Sequence, residues 1–186
     1  MARKDYGSKP YLLPEPVLII ATYDNEGNPN AMNAAWGGIS EEDELSICLS
    51  ANHKTTYNLL EKKAFTVSFG DKKHVKECDY LGIESGNNVK DKLAKCGLTV
   101  TKSEKVDAPI INEFPVSMEC TVKEYNPDTC ILKAKIINVS VDESVLTNGR
   151  FDLTKAELIT FEPFNNAYHV IGERVGKAFA DGGVFK

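Results

Sequence analysis

The stretch from Asn30 to Asn58 opens with NAMNAAWGGIS, where Ala31, Ala34, Ala35, Gly37 and Gly38 surround Trp36, the only tryptophan of the chain. Small side chains let another body approach the backbone, whose N–H and C=O groups then do the recognising. Further on, within nine positions, come Ser50, Asn52, His53, Lys54, Thr55, Thr56 and Asn58. They supply hydroxyl, amide and ammonium donors of the kind that bind phosphate. The first part reads as a face for a flat aromatic ligand, the second as a grip for its anionic tail.

Each feature also has a plainer reading. Trp36 suits a core aromatic beside tightly packed strands. Lys54, Thr55 and Thr56 suit a helix cap with a solvated lysine. Lys92, in VKDKLAK, suits a surface lysine balanced by Asp91. Glu119 and Cys120, in VSMEC, suit structural strand positions. No nucleophile–His–acid set can be assembled, no serine lies in GxSxG, and no paired carboxylates stand out. If the chain is an enzyme, its reactive chemistry belongs to a bound cofactor.

Those residues need a scaffold, and 186 residues suffice for one domain, 1–186, with a sizeable core. A composition of 42% hydrophobic and 26% charged residues excludes disordered and collagen-like classes. The net charge of −5, with scattered Lys and Arg, argues against nucleic acid as a main partner. No apolar run reaches the length of a membrane span, and Val17–Ala21 is too short for a signal sequence, so a cytoplasmic location is expected. The five cysteines are widely spaced and form no CxxC, which reads as reduced thiols. The three histidines are equally dispersed, and no protein metal site is expected.

Val17–Tyr23 is β-rich, and Asp24–Pro29 is a turn with Gly27 as its left-handed residue. Asn30–Ile39 reads as the returning strand, Glu41–Glu44 as a polar turn, and Leu45–Ser50 as a strand. The period changes over Thr55–Lys63, a short helix whose start Thr55 or Thr56 would cap. Its N-terminus would turn free N–H groups toward a phosphate. Ala64–Gly70 alternates as a strand. His74–Cys78 reads as one helical turn, Asp79–Gly82 as a loop, and Val89–Lys95 as a helix stopped by Gly97. Ala108–Pro115 is extended. Val116–Tyr125 and Cys130–Val141 flank a hairpin turn. Strands are expected at Glu157–Phe161 and Tyr168–Ile171, and a helix at Glu173–Phe179. Many short strands and few helices point to a mainly β fold, a closed or nearly closed barrel with helical insertions. Regular βαβ alternation and GxGxxG are missing, which disfavours a Rossmann domain.

The order NAMNAAWGG, SANHKTTYN, DYLGIESGNNVKDKLAKCGL, APIINEFPVSMEC resembles the flavin reductase-like, FMN-binding split-barrel family, and its flavoredoxin branch most closely. The resemblance spans roughly residues 16–164, and SGxxxxDK and APxxxExPVxxEC stand at the expected separation. It implies a six-stranded Greek-key split barrel that forms a homodimer, with FMN near the subunit interface. Asn33, Ala34, Ala35 and Trp36 would then neighbour the isoalloxazine. Ser50, Ala51, Asn52, Lys54 and Thr56 would receive the ribityl phosphate. Lys54 stands where the family usually has arginine; it keeps the charge but not the bidentate fork. Lys92 matches a family lysine that reaches toward the flavin, and Phe164 a C-terminal aromatic that approaches it. Where the family often has Gly-Asp-His, this chain has Pro127-Asp128-Thr129. Thr129 cannot replace imidazole as a proton donor.

The expected function is that of an FMN-binding oxidoreductase taking hydride from NAD(P)H. One alternative is an electron carrier charged by a redox protein partner. Another is a barrel that has lost its cofactor and serves as a binding module.

Overall fold

The computed structural model describes all 186 residues. In chain order, β1 is Glu15–Pro16, β2 Leu18–Tyr23, β3 Pro29–Ala34, β4 Gly37–Glu41 and β5 Glu44–Cys48. Helix α1, Lys54–Lys62, leads to β6, Ala64–Phe69, and then to α2, Val75–Ile83, and α3, Lys92–Lys95. There follow β7 Val100–Lys102, β8 Pro109–Ile111, β9 Val116–Asn126 and β10 Ile131–Val141. The last elements are β11 Leu146–Thr147, β12 Arg150–Phe151, α4 Leu153–Ala156, β13 Ile159–Glu162 and β14 Ala167–Val170.

Seven antiparallel strands form the main sheet, in the order β3-β2-β6-β9-β10-β5-β4. Its two edge strands, β3 and β4, are joined by only Ala35 and Trp36. So short a link forces the edges together, and the sheet closes into a split β-barrel. Gly37 stands at the seam, where an added Cβ would lie 3.1 Å from Ile47 of β5 and 3.2 Å from Leu18 of β2.

Strand alternation fills the interior. Leu18 and Ile20 point inward, to pack with Leu45, Ile47, Phe65, Val67, Met118 and Leu132. Val17, Ile19 and Ala21 point outward, into a second core built by Cys78, Leu81, Leu93, Ile111 and Ile159. A strand buried on both faces explains the unbroken apolar run VLIIA. The five cysteines are free.

Several boundaries differ from the sequence expectation. The predicted strand Asn30–Ile39 is two strands, since Ala35 and Trp36 carry the chain from one sheet edge to the other. Helix α2 absorbs the predicted loop Asp79–Gly82, because Cys78 and Leu81 bury themselves in the outer core. The predicted helix Val89–Lys95 shortens to Lys92–Lys95, with turns before it. Glu173–Phe179 is not helical: no residue from Gly172 onward is buried, so an amphipathic face has nothing to cover. The small β11–β12 hairpin and α4 carried no strong sequence signal.

Candidate functional site

The β3–β4 junction stands beside the end of β5, from which a five-residue loop leads to α1. Cys48, at the end of β5, donates its N–H to the carbonyl of Trp36 at 2.8 Å. Two residues later Ser50 begins the loop into α1. The end of the small-residue segment therefore stands beside the start of the loop that carries the donor cluster.

Trp36 is 58% exposed, so it is not a core aromatic. With Ala35 and Gly37 it forms one wall of a cleft of about 660 Å³; the N-terminal segment, including Tyr11 and Leu12, forms the other. Phe164 reaches this wall indirectly, its ring 4.1 Å from that of Tyr11. The Asn33 amide is committed to α2, donating to the Cys78 carbonyl at 3.1 Å. Ala34 is half-buried and packs on the barrel core.

Helix α1 starts without a side-chain cap. Its N-cap is His53 rather than Thr55 or Thr56, its first turn holds no acid, and Lys54 is its first residue. The helix N-terminus thus presents backbone N–H groups and a lysine to whatever lies in front of it. In front is a groove of about 160 Å³ lined by Met32, His53, Lys54, Thr55, the segment 81–86 and Lys92. Ser50 and Asn52 are on the loop at its rim. Asn52 is tied there by Asn87, whose amide donates to the Asn52 carbonyl at 3.0 Å. Ala51 is exposed on the same loop.

Other expected donors turn inward. Thr55, Thr56 and Asn58 are buried. The Thr55 hydroxyl accepts from the Asn30 amide at 2.8 Å, and the Asn58 amide donates to the Thr22 hydroxyl at 3.2 Å. These side chains anchor α1 to β2 and β3. Neither Thr56 nor Asn58 lines the groove.

Lys92 is not a surface lysine. It is 1% exposed, and its ammonium donates to the carbonyls of Ala31 and Leu81 at 2.9 and 3.1 Å. Burial pulls its pKa below the usual lysine range, against the opposing pull of Glu84 and Cys96. Thr129 is exposed in the β9–β10 turn, its N–H bonded to the Asn126 side chain.

In the sequence Gly86 stands out only as the residue before Asn87 and Asn88, either of which could cap the following helix. An added Cβ there would stand 2.3 Å from the Asn30 amide oxygen, so only glycine lets segment 81–86 lie flat on β3. The SGxxxxDK motif held the signal for it. Tyr11 and Glu15, on the far wall of the Trp36 cleft, had no such signal.

A family model for the flavin reductase like domain matches residues 11–156. Flavoredoxin of Desulfovibrio vulgaris (Miyazaki F) is 35% identical, with 97% of this chain and 100% of that chain covered and a TM-score of 0.93. Flavoredoxin from Methanosarcina acetivorans is 26% identical over the full length of both chains, with a TM-score of 0.87. An FMN-binding domain of a flavin reductase-like enzyme from Shewanella baltica shares the fold at 17% identity. It has a TM-score of 0.78, and 88% of this chain and 89% of that one are covered. By this match and by its split barrel, the chain belongs to the flavin reductase-like domain family.

Proposed function

We propose that the chain binds FMN along β3 and the start of α1, and works as a flavin-dependent oxidoreductase. The observation that carries this reading is the uncapped N-terminus of α1, with Lys54 at its head, opening onto a groove that Met32 of β3 also lines. That donor set fits a phosphate monoester dianion: free backbone N–H groups, the helix dipole and one ammonium. Lys54 supplies the charge and helix α1 the direction. Ala34 and Ala35 leave the backbone open to a planar ring. Lys92 acts from behind, fixing β3 against α2 so that this face keeps its shape. Similarity to the FMN-binding domain of a flavin reductase-like enzyme and to two flavoredoxins supports the assignment. When bound, the isoalloxazine supplies the two-electron chemistry, and no side-chain nucleophile is required.

Two electron donors fit the site. The apolar cleft beside Trp36 suits a nicotinamide. The exposed side chains of Trp36 and Ile39 equally suit a redox protein, or the second subunit of a homodimer. The first test is the visible spectrum of the purified protein, with chemical identification of the released chromophore. A colourless protein that takes up no FMN on titration refutes the assignment. The second is addition of NADH or NADPH under anaerobic conditions. Bleaching of the flavin band supports a nicotinamide donor; bleaching only after a reduced carrier protein is added supports the protein donor.

A further inference from the structure

A polar cleft of about 630 Å³ adjoins the groove at the start of α1. Lys54 and Gly86 line both, so the two spaces meet across them. The other walls of the cleft are the β2–β3 turn, Tyr57 on α1, and Asn87, Lys90 and Asp91 ahead of α3. Its volume falls within the range of small-molecule sites, about 300–1,000 Å³. An FMN phosphate at the start of α1 occupies the groove and leaves this cleft free.

Several groups around it are uncommitted. The ion pairs of the molecule include none of Lys54, Lys90 and Asp91. Tyr57 is 53% exposed, and the Lys54 ammonium stands 5.5 Å from its ring centroid. An aromatic face and an ammonium thus border one space. Asn30 lines the cleft beside Gly86, is 6% exposed, and its Oδ1 is buried without a partner. That oxygen is turned toward Gly86, where the two spaces meet. A buried acceptor left open is costly, and a donor arriving at that point would satisfy it.

The charges select the ligand. Two ammoniums, those of Lys54 and Lys90, suit a pyrophosphate. Three carboxylates, of Asp24, Glu26 and Asp91, leave no positive excess, so a ligand made of phosphates alone does not fit. Asp24 accepts from the N–H groups of Glu26 and Asn28 at 2.9 Å, and Glu26 from the Asn28 amide at 3.2 Å. Asp91 remains. A carboxylate accepts from the hydroxyl pair of a ribose and repels a phosphate placed there. We propose that the cleft is a second subsite, which takes the adenosine diphosphate half of a redox dinucleotide whose ribose hydroxyls are free. Lys54 and Lys90 meet the pyrophosphate, Asp91 the ribose, and the Tyr57 ring the base. Two ligands share that half: a flavin dinucleotide, running on from the flavin phosphate in the groove, and a nicotinamide dinucleotide without a 2′-phosphate. The flavin source rests on the FMN reading above; binding of the adenosine diphosphate half does not.

The full-length protein is titrated by isothermal calorimetry with ADP, FMN, FAD and the two oxidised nicotinamide dinucleotides. ADP should bind. Lys90→Ala and Tyr57→Ala, both at exposed positions, should each weaken it about tenfold and leave FMN within about twofold. NAD should bind at least about tenfold more tightly than NADP, and Asp91→Asn should narrow that ratio. FAD weakened alongside ADP identifies the flavin dinucleotide as the occupant. NAD weakened alongside ADP, with FAD unmoved, identifies the nicotinamide dinucleotide. The proposal is overturned if ADP does not bind, if its binding is unmoved in either variant, or if NADP binds as tightly as NAD. Equal weakening of FMN in Lys90→Ala also overturns it, because the cleft then belongs to the FMN phosphate. A protein that binds ADP in this way but takes up no FMN keeps the subsite and refutes only the cofactor assignment.

Discussion

The ammonium of Lys92 donates to the carbonyl of Ala31, 61 residues earlier in the chain, at 2.9 Å. A second bond, to Leu81, satisfies a carbonyl in the last turn of α2 that the helix leaves open. One buried cation thereby joins α3 to the end of α2 and to β3. Removing the donor while keeping the bulk strands both carbonyls in a dry place. Lys92→Met should cost about 1–3 kcal/mol of stability for each carbonyl left without a partner. A urea unfolding midpoint close to that of the wild type would show that water or a neighbour replaces the ammonium.

Lys54 should discriminate between flavins. Its charge meets only a ligand that carries phosphate, so Lys54→Ala should weaken FMN while leaving riboflavin almost unaffected. A charge-assisted contact contributes about 1.5–3 kcal/mol, or roughly ten- to a hundredfold in affinity. Parallel titrations of the two flavins, followed by fluorescence quenching, measure the difference. Equal weakening would remove Lys54 from the phosphate site.

Ala35 lines the cleft beside Trp36 and is half-buried. Leucine at this position would project into the space a planar ring needs. Ala35→Leu should purify with little or no flavin and with a thermal midpoint near that of the wild type. Full cofactor content in this variant would show that the ring lies elsewhere.

Gly86 presses segment 81–86 onto β3, and the atom in the way of any Cβ is the Asn30 amide oxygen. Asn30 cannot step aside cheaply, because it is buried and its amide donates to Thr55. Gly86→Ala should therefore cost about 1–3 kcal/mol through overpacking. It should also widen the groove at the start of α1 and lower FMN affinity. Differential scanning calorimetry measures the first effect and titration the second.

Glu15 should leave a signature in the pH dependence of stability. Its pKa is raised in the folded protein, mainly by burial, so the native state binds its proton more tightly than the unfolded chain does. Native stability must then decline as pH rises from the ordinary glutamate range through the raised value, and level off above it. Glu15→Gln lacks that decline. Relative to wild type it should gain stability across that window and show no gain at lower pH. Denaturant midpoints at a series of pH values test the sign; a gain that shrinks with rising pH would contradict it.

The sequence alone carried the fold, because it is written in local patterns. Alternation marked most of the barrel strands, Gly27 the β2–β3 turn with its φ of 85°, and Gly97 the stop after α3 with a φ of 74°. Small residues around Trp36 and the polar run after Ser50 marked the two halves of the candidate site. What the tertiary structure decided was which way each side chain faces. Thr55, Thr56 and Asn58 are the right types for a phosphate, yet α1 rolls them onto β2 and β3, where burial and hydrogen bonds to Asn30 and Thr22 hold two of them. Lys92 reads as a solvated lysine because a four-residue helix has too short a pattern to show its buried face. Trp36 reads as core by composition and is exposed because closure of the barrel leaves only two residues to link its edges. Glu15 and Trp36, twenty-one residues apart, line one cleft across that seam, and no local period encodes such a meeting.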